Sequence, residues 1–192
     1  MAAGRVIVLN GTSSAGKSTL AAALQARLAA AGECWIVFAL DDLFAKLPFA
    51  WVTYGDHVGA HADEGIAFEL VDGEVVRRVG PIAERILDAY RGMVARAALA
   101  GLDVIVDEVL LGEAEWRSWQ VELAGLEVRW VRVDCALDVA EARERSRPER
   151  LPGMARSLHG TVHRHPSYDL RADTSATVPD TAAAAIVAGL AW

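Results

Sequence analysis

Residues Gly11 to Ser18 read G-T-S-S-A-G-K-S and follow directly on the apolar run Val6-Ile7-Val8-Leu9. This is the pattern G-x-x-x-x-G-K-[ST] in its strand-then-helix setting, a loop that holds nucleotide phosphates. Its glycines let the backbone curl so that N–H groups from Gly11, Thr12, Ser13, Ser14, Ala15, Gly16, Lys17, Ser18 and Thr19 face phosphate oxygens. Lys17 can reach the β- and γ-phosphates, and the Ser18 hydroxyl can ligate Mg²⁺. The helix that begins here adds the positive end of its dipole. Of 19 Lys+Arg, only Lys17 and Lys46 are lysines. A compact, flexible ammonium at the one position that needs it therefore stands out against an arginine-rich background.

A triphosphate site needs a second acid for the metal. Val104-Ile105-Val106-Asp107-Glu108 provides one at a strand end, and Asp107 is expected to serve Mg²⁺ opposite Ser18. A second strand, Trp35–Leu40, runs into Asp41-Asp42, where ligands collect on an open α/β sheet. Asp41 is the candidate base for an attacking hydroxyl, with Asp42 capping or orienting a helix that starts near Leu43. Arg143-Glu144-Arg145-Ser146-Arg147-Pro148-Glu149-Arg150 reads as a lid over phosphates. Guanidinium forks there could spread charge on the transferring group, with Arg147 and Arg150 as catalytic candidates and Arg143 on the nucleotide.

The elements that must position these groups alternate. Apolar runs at Val6–Leu9, Trp35–Leu40, Val104–Val106, Val128–Val133 and Tyr168–Ala172 are separated by helical patterns. The helices are expected at Lys17–Ala31, Pro81–Ala100, Leu137–Ser146, Met154–His163 and Thr181–Leu190. This alternation predicts an α/β fold, a five-stranded, mostly parallel sheet with helices on both faces. Pro81 suits a helix first turn and Gly101 its end. Residues 48–80 interrupt the rhythm as an insertion, with Ile66–Leu70 and Val75–Arg77 flanking the hairpin signal Asp72-Gly73. Phe49, Trp51 and Tyr54 could wall an acceptor pocket there, with Glu108 beside it, or could only pack the insertion onto the core. One domain spanning 1–192 is expected, with the lid at 143–153.

Composition narrows the functional classes. A net charge of -7 offers poor electrostatic help to a polynucleotide partner. No apolar stretch is long enough for a membrane span, and nothing resembles a signal peptide, so a cytoplasmic location is expected. Cys34 and Cys135 sit at strand-like positions and are expected to be buried free thiols, without a C-x-x-C pattern. His57/His61 and His159/His163/His165 carry spacing that could suit a metal. The first pair lies in a Gly-rich stretch and the second cluster lacks completing ligands, so histidine ligation is disfavoured.

Four blocks in order resemble the chloramphenicol phosphotransferase family: Asn10–Ser18, Phe38–Leu43, Asp107–Gly112 and Arg147–Met154. Glu64–Phe68 and Ala172–Ser175 extend the resemblance over nearly the whole chain. The resemblance implies a fold like that of nucleoside and shikimate kinases. It also implies transfer of the ATP γ-phosphoryl group to an antibiotic hydroxyl, with Asp41 where the family keeps its proposed base. Leu47–His61 is longer and more aromatic than the family pattern, at the place where the acceptor should bind. The expected partners are ATP (or GTP), Mg²⁺ and a small hydroxylated acceptor. The rivals are a kinase of another antibiotic or of a metabolite alcohol or nucleoside, and a nucleotide-dependent regulatory ATPase.

Overall fold

The computed structural model describes residues 2–147, 151–164 and 167–192. Its main sheet runs β2-β6-β1-β7-β8 and is parallel throughout. The strands are β1 (Arg5–Asn10), β2 (Trp35–Ala39), β6 (Asp103–Glu108), β7 (Glu127–Asp134) and β8 (Leu170–Asp173). A second, smaller sheet has the order β3-β4-β5, from β3 (Val52–Tyr54), β4 (Ile66–Val71) and β5 (Glu74–Val79). The β4–β5 hairpin turns at Asp72-Gly73, both in the left-handed region at φ 51 and 82°. That is the backbone the Asp-Gly pair predicts.

Central strands buried on both faces read as continuous apolar runs, and β1 shows why. Val6 and Val8 point to one core with Tyr90, Val94, Trp116 and Trp119. Ile7 and Leu9 point to the other, with Leu20, Leu24, Val131 and Ile186. Helices α1 (Lys17–Ala30) and α7 (Pro179–Gly189) cover the second face, and α3 (Pro81–Leu99) and α4 (Glu113–Glu122) the first. α2 (Leu40–Phe44), α5 (Leu137–Arg145) and α6 (Met154–His159) follow strand ends or the phosphate loop's flank.

Several expectations need correction. α2 begins at Leu40, directly after β2, so Asp41 and Asp42 lie in its first turn and neither caps it. α6 stops at His159 rather than His163, because Gly160 follows and Thr161–His163 form turns. β3 and α4 had no sequence reading: β3 is three residues long, and α4 buries Trp116 and Trp119 among charged neighbours. Cys34 is exposed, one residue before β2, whereas Cys135 is buried; both are free thiols. Among the described residues no helix is long and apolar enough to cross a membrane.

Trp119 is 1% exposed and meets Tyr90 edge-on at 5.7 Å between ring centroids. Truncating it removes a large buried ring under the main sheet. Trp119→Ala is expected to cost about 3–5 kcal/mol of stability, read as a lowered midpoint in urea unfolding.

Candidate active site

The parallel register sets the site. Leu9 pairs with Asp107, which pairs on its other side with Ala39. The end of β1, the acid of β6 and the end of β2 therefore lie level, at the carboxyl edge where the strand order turns about β1. The loop Gly11–Gly16 leaves β1 between β6 and β7. Gly11 has no room for a side chain, since a Cβ would stand 2.6 Å from the Val133 carbonyl oxygen. Gly16 enters α1 at φ +85°, a conformation that disfavours any other residue. Ser14, at φ 59°, is one of the non-glycine residues in the left-handed region, and it bends the loop inward.

Lys17 is 7% exposed, so its ammonium must be paired. Its Nζ donates to Thr12 O at 3.0 Å and stands 3.8 Å from Asp107 Oδ1. Ser18 Oγ donates to Asp107 Oδ2 at 2.6 Å. Among the described residues Ser13 Oγ and Ser14 Oγ are buried without a hydrogen-bond partner. Orphaned hydroxyls beside an ammonium, under a curled backbone, fit phosphate oxygens; the adjoining Ser18 hydroxyl and Asp107 carboxylate fit a hard divalent cation.

A cleft of about 360 Å³ opens on this loop. Lys17, Ser18, Asp41, Asp107, Glu108 and Arg147 all line it, as do Phe44, Phe68, Val109, Leu111 and Arg77. A second cavity of about 260 Å³ lies on the other flank of Gly16, between Arg143, Arg147, Thr174, Thr177 and Pro179. Phe49, Trp51 and Tyr54 do not line the cleft. Phe49 is 70% exposed and packs on His57, and Trp51 stacks on His61. The Tyr54 hydroxyl accepts from Leu151 N–H at 2.8 Å. Phe49 and Trp51 thus pack within the insertion, Tyr54 ties it to Leu151, and Phe68 of β4 is the ring of the insertion that lines the cleft. Arg150 lies outside the described residues, as do Pro148, Glu149 and His165. Among the described residues no group of three or more His, Cys, Asp or Glu could hold a metal ion.

Polar contacts that the sequence did not reveal fix this arrangement, two of them at residues read there as site candidates, Arg143 and Glu108. Asn10 Oδ1 accepts from Leu110 N–H, and its amide donates to Val162 O and the Tyr168 hydroxyl. Arg143 donates to Thr174 O at 2.6 Å and to Ala15 O at 3.3 Å, so it braces the phosphate loop from outside. Thr174 Oγ1 donates to the same Ala15 O at 2.6 Å. Glu144, 5% exposed, accepts from Gly153 N–H and Ala155 N–H and thereby anchors the start of α6 on α5. Burial pushes the Glu108 carboxyl up to about 7, against the pull of the Val109 N–H and of Arg77. The contacts of Asn10 and Arg143 have no sequence signature, because they join residues about a hundred or more positions apart, or run from helix to strand end; a polar residue closing an apolar run, such as Asn10, is the one local hint.

The chain matches, over residues 4–191, the family described as "Chloramphenicol phosphotransferase-like protein". It belongs to that family. A protein of Mycobacterium tuberculosis (strain ATCC 25618 / H37Rv) named "Putative O-phosphotransferase Rv2636" is 32% identical, over 92% of this chain and 78% of its own length. Among solved structures, the Mycobacterium tuberculosis APS kinase CysC in complex with AMPPNP and APS has a TM-score of 0.69 at 19% identity, covering 99% of both chains. The Deinococcus radiodurans tunicamycin resistance protein has a TM-score of 0.63 at 18% identity, covering 96% of this chain and 94% of its own. At such identities the likeness shows the fold: the α/β P-loop kinase fold with a five-stranded parallel sheet.

The buried Glu144 gives this site a measurable support. Glu144→Ala strands two backbone donors and is expected to destabilise the chain by about 2–4 kcal/mol. Glu144→Gln, which keeps one acceptor oxygen, should retain a good part of that loss. Urea unfolding of the pair checks the ordering.

Proposed function

We propose that this family member is an O-phosphotransferase that moves the γ-phosphoryl group of ATP to a hydroxyl of a small, hydroxylated acceptor. The observation that supports this most is the convergence of Lys17, Ser18, Asp107 and Asp41 on one cleft. The phosphate loop binds the triphosphate, with Lys17 against its β- and γ-oxygens and the Ser13 and Ser14 hydroxyls as added donors. The cavity between Gly16, Thr174 and Thr177 is the place for the adenosine half. Ser18 and Asp107 would hold Mg²⁺, which supplies neutralisation of phosphate charge.

Asp41 enters the cleft from the first turn of α2, where it can accept the proton of an attacking hydroxyl. Arg147 lines both cavities and can stabilise charge on the group in transit. Arg150 is assigned a similar part on its sequence position alone. The cleft's second half, walled by Phe44, Phe68, Val109 and Leu111, receives the acceptor. Chloramphenicol is the first acceptor to try, and phosphorylation there would inactivate an antibiotic. A soluble ATP- or GTP-using enzyme of the cytoplasm, without nucleic-acid or membrane partners, is the matching cellular reading.

Mass spectrometry of a reaction with Mg²⁺-ATP and chloramphenicol tests the proposal directly. A product heavier by one phosphoryl group is expected from the native chain. Asp41→Asn should lose about 10²–10⁴-fold in kcat while the nucleotide KM stays close to native. Turnover of Asp41→Asn near the native rate would remove Asp41 from the base role. Lys17→Ala is expected to weaken both nucleotide affinity and turnover, read by nucleotide titration and steady-state rates. ATP hydrolysis that no hydroxylated compound stimulates would favour the regulatory ATPase instead.

A further inference from the structure

The acceptor half of the cleft contains a guanidinium. Arg77 enters from β5, and its side chain is 12% exposed. Among the described residues it makes one ion pair, from Nη2 to Glu115 Oε1 of α4. The other carboxylate oxygen, Glu115 Oε2, accepts from Leu111 N–H at 2.7 Å. Glu115 therefore clamps Arg77 and the Val109–Leu111 wall together. Among the described residues its Nε and Nη1 have no hydrogen-bond partner and are not fully buried, and Arg77 lines the cleft. The same cleft is lined by Phe44, Phe68, Val109, Leu111, Met154 and Leu158, with the Glu108 carboxyl near enough to act on the Arg77 charge. A guanidinium held in such a place is costly to bury unless it has a use; burial indeed lowers its hold on the proton.

We infer that Arg77 is the residue that orients the acceptor, donating to an uncharged oxygen such as a carbonyl, amide or nitro group, with Glu115 holding its fork in place. The inference rests on the phosphotransferase reading and gives it an acceptor class. Glu115 already balances the charge of Arg77, and the carboxylates of Asp41 and Asp42 line the same cleft. A carboxylate or phosphate on the acceptor would face excess negative potential there. A neutral, amphipathic alcohol meets donors on one side and apolar walls on the other. The separation of roles follows: Lys17 and Arg147 serve the phosphates, and Arg77 serves the acceptor.

The test uses acceptor-dependent ADP release and product mass with chloramphenicol and uridine as neutral acceptors and gluconate as an anionic one. The native chain should phosphorylate a neutral acceptor in preference to gluconate. Arg77→Met should raise the KM for that neutral acceptor about 10- to 100-fold, with a far smaller change in the KM for ATP. Arg77→Lys should recover part of the loss, since it keeps the charge but not the fork. Glu115→Gln, which unmasks the guanidinium, should shift the preference towards gluconate several-fold. Because Arg77→Met leaves Glu115 unpaired and could unfold the wall, Arg77→Met/Glu115→Gln is the control. Its acceptor KM stays high if Arg77 touches the acceptor, and returns to native if the pair only supports the fold, which would overturn the inference. Preference of the native chain for gluconate would also overturn it. Failure of the native chain to phosphorylate any of the three would defeat the phosphotransferase reading and this inference together, whereas native activity with unchanged KM in Arg77→Met defeats this inference alone.

Discussion

A buried ammonium sets the terms for the rest of the molecule. Lys17 can stay charged out of water only if oxygens surround it, and its partners come from different parts of the chain. Thr12 O is supplied by the curl of the loop, and Asp107 by the neighbouring strand β6. The Asp107 contact demands that β6 lie beside β1 in the observed register, with Leu9 opposite Asp107. A slip of one residue would turn Asp107 into the core and point Val106 at the phosphate loop, because side chains alternate across a strand. The continuous apolar runs Val6–Leu9 and Val104–Val106 would tolerate either register on hydrophobic grounds. The polar ends, Asn10 and Asp107, are what distinguish them. Asn10 fixes the point from both sides, reaching Leu110 after β6 and Val162 after α6.

A loop that presents N–H groups to phosphate leaves its own carbonyls pointing outward, and these need donors. Ala15 O takes them from Arg143 and Thr174, which arrive from α5 and from the end of β8. The phosphate loop is therefore held at its back by elements late in the chain. This is preorganisation: donors already aimed need no rearrangement when charge develops. Arg143 has a double position, since it braces Ala15 and lines the adenosine-sized cavity.

How much of this was readable in the sequence depends on whether the signal was local. The phosphate loop, the strand-end acid Asp107 and the main sheet came from contiguous patterns, and the helix from Pro81 was framed by its proline and by Gly101. Asp41 was placed by its strand end, although the helix starting at Leu40 changes how it is carried. The signals failed where tertiary contacts decide. α4 hid because Trp116 and Trp119 sit among Glu, Arg and Gln, and only the pairing with Tyr90 and Trp130 shows that they are core. The aromatic stretch at Phe49–Tyr54 looked like a binding wall, yet its rings meet histidines and Phe68 of the same insertion. Arg77 read only as the end of a hairpin run, and its partner Glu115 lies far along the chain in α4.

One short helix joins the two halves of the cleft. α6 receives the Glu144 carboxylate at its start, accepts from Thr12 Oγ1 at Ala155 O, and accepts from Val75 N–H of the small sheet at Ser157 Oγ. Met154 and Leu158 of the same helix line the cleft and pack with Val75 and Val162. The phosphate loop and the acceptor-side sheet are thus tied to a single rigid turn, one by a threonine and the other by a serine. A shift of the small sheet relative to the main sheet would pull on both bonds at once.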